Sequence, residues 1–195
     1  MAFCLPCWTE LSPASAMAPG SPRAGVEAVA AASAYNRPAR AAVLALKHGN
    51  RPRLAVPMGG LMAAALPALR DWPGALLVPV PLHRSRLWRR RYNQAALLSS
   101  EVARRRALEM CVDGLERTRP TAPQHHGRRE RAAAVAGAFR VPVGRRERVA
   151  GRQIILVDDV MTTGATAANC ARALRDAGAA GVQLLCWARV SPTGD

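Results

Sequence analysis

Three largely apolar runs stand out along the chain, at residues 76–81, 154–157 and 182–188, the last broken only by Gln183. A run with no polar alternation predicts a strand buried on both faces, as in a parallel sheet. Pro79 and Pro81 restrict the first run to an end or an irregular edge of that sheet. Between the runs the apolar positions recur at helical spacing. Pro38 opens a helix over 39–47, with Val43, Leu44 and Leu46 on its apolar side and Gly49 to stop it. Residues 54–69 read as a second, buried helix, 95–107 as a third, and 165–177 as a fourth, capped by Gly178. Strands alternating with helices predict an α/β fold, a mostly parallel central sheet flanked by helices. Trp187, inside the last strand, is expected in the core. Residues 117–124 are polar and broken by proline, so they read as an excursion over the surface. Residues 127–136 are basic and alanine-rich, a helix ending at Gly137, and 140–152 form a charged connector. Residues 12–25 have the composition of a linker. The folded part is expected to begin near Val26, and the chain divides into an N-terminal segment, 1–34, and a domain, 35–195.

The chemistry concentrates after the middle run. Ile154-Ile155-Leu156-Val157 is followed by Asp158 and Asp159, then by Met161-Thr162-Thr163-Gly164-Ala165-Thr166 and a helix. Strand, acidic pair, hydroxyl-and-glycine turn and helix make a device for holding a phosphorylated sugar. The turn offers backbone amides and threonine hydroxyls, and the helix start adds partial positive charge for a phosphate. Gly164 lets the backbone come close without a Cβ. The aspartates would repel phosphate; they suit ribose hydroxyls or the waters around Mg²⁺.

A second polar segment follows the first run: Pro81, Leu82, His83, Arg84, Arg89 and Arg91 belong to a dense basic loop, 82–91, that reads as a grip for pyrophosphate. Loops after strands in open α/β sheets converge at one edge, which brings this loop toward the acidic pair. Lys47 has two readings, a solvated charge at a helix end or, as the one lysine among arginines, a point charge wanted at that place and a candidate site residue. Arg117, Arg119, Gln124 and Arg131 lie on a segment able to close over a polyphosphate. Arg104–Arg106 read as a solvated helix face.

The chain is strongly basic, with formal net charge +15, and 27 of its 28 basic residues are arginine. Such a surface attracts polyphosphates and nucleic acid without specifying either. Five cysteines and no secretory pattern in 1–22 predict reduced thiols in the cytoplasm. No apolar run is long enough to span a bilayer. Cys4-Leu5-Pro6-Cys7 is half of a zinc-ribbon pattern, and tetrahedral zinc wants a second pair of ligands that the sequence does not supply.

Residues 154–166 resemble the phosphoribosyl-pyrophosphate (PRPP) signature of the type I phosphoribosyltransferases. The wider pattern is similar to the ComF/GntX family of phosphoribosyltransferase-like proteins. It comprises Cys4-x-x-Cys7, Leu46-Lys47-His48-Gly49, Val78-Pro79-Val80-Pro81-Leu82-His83, Arg91-Tyr92-Asn93-Gln94, Arg117-Thr118-Arg119-Pro120-Thr121, Gln124, Arg131 and Gly137-Ala138-Phe139. The resemblance implies a type I phosphoribosyltransferase fold with a hood or flexible segment. It implies a Mg²⁺-dependent PRPP-binding protein that transfers a 5-phosphoribosyl group and releases pyrophosphate, with Asp158 and Asp159 as its catalytic pair. The acceptor and the oligomeric state are not implied. The alternative is a non-catalytic PRPP or nucleotide sensor, or a protein handling single-stranded DNA with competence proteins during natural transformation. For that, Trp88 and Tyr92 are the one pair of aromatics set among arginines.

Four departures from the family pattern bear on these expectations. The second cysteine pair of the usual zinc knuckle is missing. Arg91 stands where the family has glycine, which bears on the loop's backbone. Ala134 replaces a common asparagine. Thr162 stands where purine enzymes of the wider superfamily carry an aspartate general base, and a hydroxyl cannot serve as a base near neutral pH.

Overall fold

The structure, a computed structural model, describes residues 9–11, 25–119 and 137–190. In chain order the elements are β1 (Val29–Ala34), α1 (Arg37–His48), α2 (Ala55–Ala65), β2 (Leu76–Pro79), α3 (Arg84–Arg90), α4 (Gln94–Arg106), β3 (Glu109–Met110), β4 (Glu116–Arg117), β5 (Phe139–Arg140), α5 (Arg146–Val149), β6 (Gln153–Met161), α6 (Ala165–Asp176) and β7 (Gly181–Arg189). Five strands form one sheet in the order β1–β7–β6–β2–β3, every pairing parallel. A separate antiparallel pair, β4 with β5, sets Arg117 opposite Phe139. The mostly parallel sheet flanked by helices is the α/β class expected.

The apolar runs of β6 and β7 do bury both faces, and Gln183 within β7 is buried with them. Ile155, Val157, Leu185 and Trp187 join one core beneath α1, α2 and α4, while Ile154, Leu156, Val182 and Leu184 join a second core beneath α6. Trp187 is fully buried, and its indole Nε1–H donates to the Ala39 carbonyl at 3.1 Å.

Three features differ from expectation. β1 precedes residue 35 and pairs with β7 from Val29↔Leu184 to Ala34↔Arg189, so the sheet begins inside the segment assigned to the N-terminus. Its sequence, Val-Ala-Ala-Ala-Ser-Ala, has one β-branched residue and no strand-forming signal; alanine there lets the helices sit close. The stretch read as a basic loop contains α3, with His83 as its N-cap accepting the Ser85 amide at Nδ1 (3.3 Å). Arginine is a good helix former, so a turn or two of helix costs little.

The third difference is β2, which is not an edge: it lies between β6 and β3. β3 ends at Met110, the Cys111 amide makes the last bond to Leu77, and on the other side the Val80 amide donates to Val157. In an alternating strand Pro79 therefore turns its missing N–H to the side where the short neighbour has already stopped, and no ladder bond is lost.

The charged connector is tied down by ion pairs. Arg145 forks onto Asp113 at 2.8 and 2.7 Å, and Arg148 and Arg152 both reach Glu109. These exposed pairs fix geometry more than they add stability. The predicted helix at 127–136 and the linker at 12–24 lie outside the described residues. Among the described residues, no helix is long and apolar enough to cross a membrane.

Candidate functional site

The sheet order decides where a site can form. The chain leaving β2 returns as β3 on one side, while the chain leaving β6 returns as β7 on the other. Neighbouring strands whose connections diverge leave a crevice beyond their C-terminal ends. β6 delivers Asp158 and Asp159 to this crevice.

β6 stays extended through both acids to Met161, so strand alternation turns them to opposite faces of the sheet. Asp159 faces the α1 layer and is 8% exposed; Lys47 Nζ, on the last turn of α1, donates to its Oδ1 at 2.8 Å. Asp158 faces α6 and lines a hollow with Thr162, Thr163, Gly164, Ala165 and Thr166. Its Oδ1 accepts the Asp159 backbone amide at 2.8 Å, so the two acids are held as a unit.

The turn behaves as its residues predict. Gly164 has φ +80°, a left-handed conformation that glycine adopts without strain. As the N-cap of α6 it supplies no side-chain acceptor; Thr163 Oγ1 accepts the Ala165 amide at 3.4 Å. The first turn of a 12-residue helix thus opens onto the hollow, with the exposed Thr162 and Thr163 at its mouth.

Burial is the main cause that raises the Asp158 carboxyl, to about 7, and the neighbouring Asp159 adds to it; Lys47, the Asp159 amide and Arg117 oppose the shift. Arg117 stands on β4 with its guanidinium 5.2 Å from the centre of the Phe139 ring, and its charge is felt at Asp158. Burial, with Asp158 second, also pushes the Cys170 thiol well up, so this cysteine is an inert packing residue.

A second hollow, of about 270 Å³, lies on the α1 side and is lined by Lys47, His48, Asn50, Arg89, Arg90, Arg91 and Tyr92. Lys47 is common to this hollow and to the ion pair with Asp159. Lys47 is thus not a fully solvated helix end: its ammonium is paired with Asp159. Burial, then Arg90, Lys47 and Arg89, holds the His48 imidazole below its ordinary range, so it is a neutral member of a cationic wall near pH 7. Tyr92 donates its hydroxyl to the Leu46 carbonyl at 2.6 Å and packs against the core, which removes it as a stacking surface.

The expected site residues separate into groups. Asp158 and the Met161–Thr166 turn come together, as do Lys47, Arg89 and Arg91. Pro81, Leu82, His83 and Arg84 line neither hollow, and His83 serves as the helix cap. Arg119 is exposed and accepts a bond from Arg117 through its carbonyl. Gln124 and Arg131 lie outside the described residues, as do Cys4 and Cys7. Sequence reasoning included Arg90 only within the basic loop 82–91 and Gln94 only within a family motif, and gave neither a role of its own. Arg90 lies near the Asp159 charge, and its Nη1 donates to Gln94 Oε1 at 3.2 Å. The buried Arg90 Nε and Gln94 Nε2 have no acceptor among the described residues. Three arginines in a row carry no mark of which one turns inward; the pitch of α3 decides it.

Arg91 stands in a left-handed backbone conformation that favours glycine. Its φ is +65° and ψ −9°, and its amide closes α3 onto Leu87 at 2.7 Å. A side chain in this region costs about 1–2 kcal/mol, and glycine's extra unfolded-state freedom returns about 0.5–1 of it. Arg91→Gly is therefore expected to raise the unfolding free energy by up to about 1 kcal/mol in urea titrations, with an unchanged slope.

No family model matches the chain. The DNA utilization protein YhgH of Escherichia coli (strain K12) is 35% identical over 160 residues, covering 80% of this chain and 69% of that protein. Competence protein F of Haemophilus influenzae is 35% identical over 114 residues, covering 58% of this chain and 49% of that protein. Among solved structures, glutamine PRPP amidotransferase from B. subtilis complexed with ADP and GMP aligns with a TM-score of 0.47 at 16% identity, over 72% of this chain and 30% of that one. The YhgH match covers more than two thirds of both chains, and on that likeness the chain belongs to the family of DNA utilization protein YhgH and competence protein F (ComF).

Proposed function

We propose that the chain is a PRPP-binding, phosphoribosyltransferase-like protein of the cytoplasm, working in DNA uptake or utilization. On this reading it transfers a 5-phosphoribosyl group to an acceptor and releases pyrophosphate. The observation that carries it is Asp158 and the glycine-bent turn sharing one hollow, with a cationic hollow reached through Lys47. The turn and the start of α6 would take the 5′-phosphate. Asp158 and Asp159 would take the ribose hydroxyls across the end of β6. Lys47, Arg89, Arg90 and Arg91 would take the diphosphate.

Among the described residues no group of three or more acidic, histidine or cysteine side chains could cage a metal. Two carboxylates fit Mg²⁺ instead, which keeps waters and substrate oxygens in its shell. Held through Asp158 and Asp159, it would supply charge neutralisation for the diphosphate. In the transfer, the C1–O bond to pyrophosphate breaks and its electron pair leaves with pyrophosphate. A lone pair of the acceptor forms the new bond to C1, and the acceptor's proton passes to solvent. The positive charge developing at C1 resembles that of glycoside chemistry. The guanidinium groups, preorganised around the leaving group, would supply the main stabilisation.

Calorimetric titration of PRPP with Mg²⁺ tests the site. Asp158→Asn and Asp159→Asn are each expected to weaken binding about tenfold to a hundredfold, the range of hydrogen bonds to charged groups. Unchanged affinity in both would remove the aspartates from the site. Thr162, exposed where a general base would stand, favours a second reading, PRPP sensing without turnover. A screen of acceptor bases for pyrophosphate release separates the two readings.

A further inference from the structure

A third hollow, of about 520 Å³, lies between β5, the start of α5 and the last turn of α6. None of its lining residues belongs to the two hollows of the candidate site. The buried Phe139 and Val141 form part of its floor, while Val143, also in its wall, is 83% exposed. Its charged residues are Glu116, Asp176, Arg140 and Arg146, so two acids balance two arginines on a chain of formal net charge +15.

Two of these charges are paired and two are not. Arg140 holds Glu116, and along the same connector Arg145 holds Asp113 while Arg148 and Arg152 hold Glu109. Arg146 has no carboxylate partner among the described residues, and Asp176 has no cation. Asp176 is the last residue of α6, where a carboxylate adds to the negative end of the helix instead of offsetting it. Arg175, the basic residue of that last turn, is committed to the Gly25 carbonyl and to Glu27. The face thus holds both halves of two unmet pairs: an exposed apolar side chain and an apolar-floored hollow, a lone guanidinium and a lone carboxylate. A surface carrying both halves matches itself across a twofold axis. Two copies of so basic a chain repel over most of their surface, and this face, being balanced, spares them that. Nucleic acid would meet its carboxylates. A small molecule filling the hollow would leave Val143 in water.

We propose that this face joins two copies of the chain into a symmetric dimer, with Val143 of each chain seated in the partner's hollow and Arg146 of each chain paired with the partner's Asp176. The inference stands on this face alone and does not depend on PRPP binding. β4, which supplies Glu116 to the hollow, also carries Arg117, whose charge is felt at Asp158. Joining two chains here would steady the ribbon that holds that charge and leave the linings of the other two hollows untouched.

Sedimentation velocity of the nuclease-treated full chain tests the face, over loading concentrations from about 1 to 100 μM. The wild type is expected to pass from monomer to dimer within that range. Val143→Asp and Arg146→Glu should each raise the dimer Kd about tenfold or more, because every substitution enters a twofold interface twice. Both residues are exposed, so neither change disturbs the core. Asp176→Arg should weaken the dimer in the same way. The double variant Arg146→Glu/Asp176→Arg restores the pairing with its signs exchanged, and its Kd should return to within about threefold of wild type. A wild type that stays monomeric throughout the range overturns the proposal. So does a dimer whose Kd is unmoved by Val143→Asp, or a double variant no tighter than either single reversal.

Discussion

Between about pH 5 and 7 the ligand-free protein is expected to lose stability as the pH rises, and Asp158→Asn is expected to remove most of that slope. The Asp158 carboxyl is pushed up from its ordinary value of 3.8 to about 7 in the fold, chiefly by burial and then by Asp159. Within that window the folded state keeps a proton that the unfolded state has released. Stability is therefore fully present below the unfolded value and drains away as the pH climbs through the folded one. The limit is about 1.4 kcal/mol per pH unit, so the total is a few kcal/mol. Glu109 and Asp113 are shifted the other way by their arginines, and their contributions fall away in acid, below the window. Urea titrations of wild type and Asp158→Asn at pH 5, 6, 7 and 8, with a chelator present, measure the difference. Parallel curves for the two proteins would show that Asp158 ionises as readily folded as unfolded. Binding of a metal–diphosphate should show the reverse trend, strengthening over the same interval, because a cation requires the carboxylate.

Trp187→Ala is expected to cost about 3–5 kcal/mol of unfolding free energy, the range for deleting a buried indole. Trp187 is fully buried between β7 and α1, and its Nε1–H satisfies the Ala39 carbonyl. The truncation leaves a cavity and an orphaned acceptor together. The protein has few aromatics, 4% of its residues, so its core rests on alanine, leucine and valine and has little with which to refill the space. Domains are stable by only about 5–15 kcal/mol, so this one change should bring the midpoint of urea unfolding down by a large fraction. Trp187→Phe keeps the ring's apolar volume in part and should cost less than half as much. A loss below about 1 kcal/mol for the alanine variant would mean that the core collapses into the gap.

The strands easiest to find from residues alone were β6 and β7, because apolar runs with no alternation have one physical home, the middle of a parallel sheet. The turn at Gly164 was legible for a similar reason: few arrangements place two acids at a strand end and then two threonines and a glycine before a helix. β1 was hidden because alanine has no preference that tells a strand from a helix, and its burial is a property of β7 and α2 rather than of its own sequence. α3 was hidden because five charged side chains read as a loop. The pair Lys47–Asp159 joins residues 112 apart, and no periodicity reports a contact over that separation. The same limit applies to Arg90 among its neighbours: its inward turn is set by the pitch of α3, a helix the charged residues do not announce.

Because Asp158 looks toward α6 and Asp159 toward α1, a ligand that engages both acids would be a rivet through the rim of the sheet. Loosening either helical coat would then be felt as a weaker grip, even where the altered residue lies far from the ligand. Conversely, occupancy would stiffen both coats at once, so that slowed amide exchange in α1 and in α6 would rise and fall together.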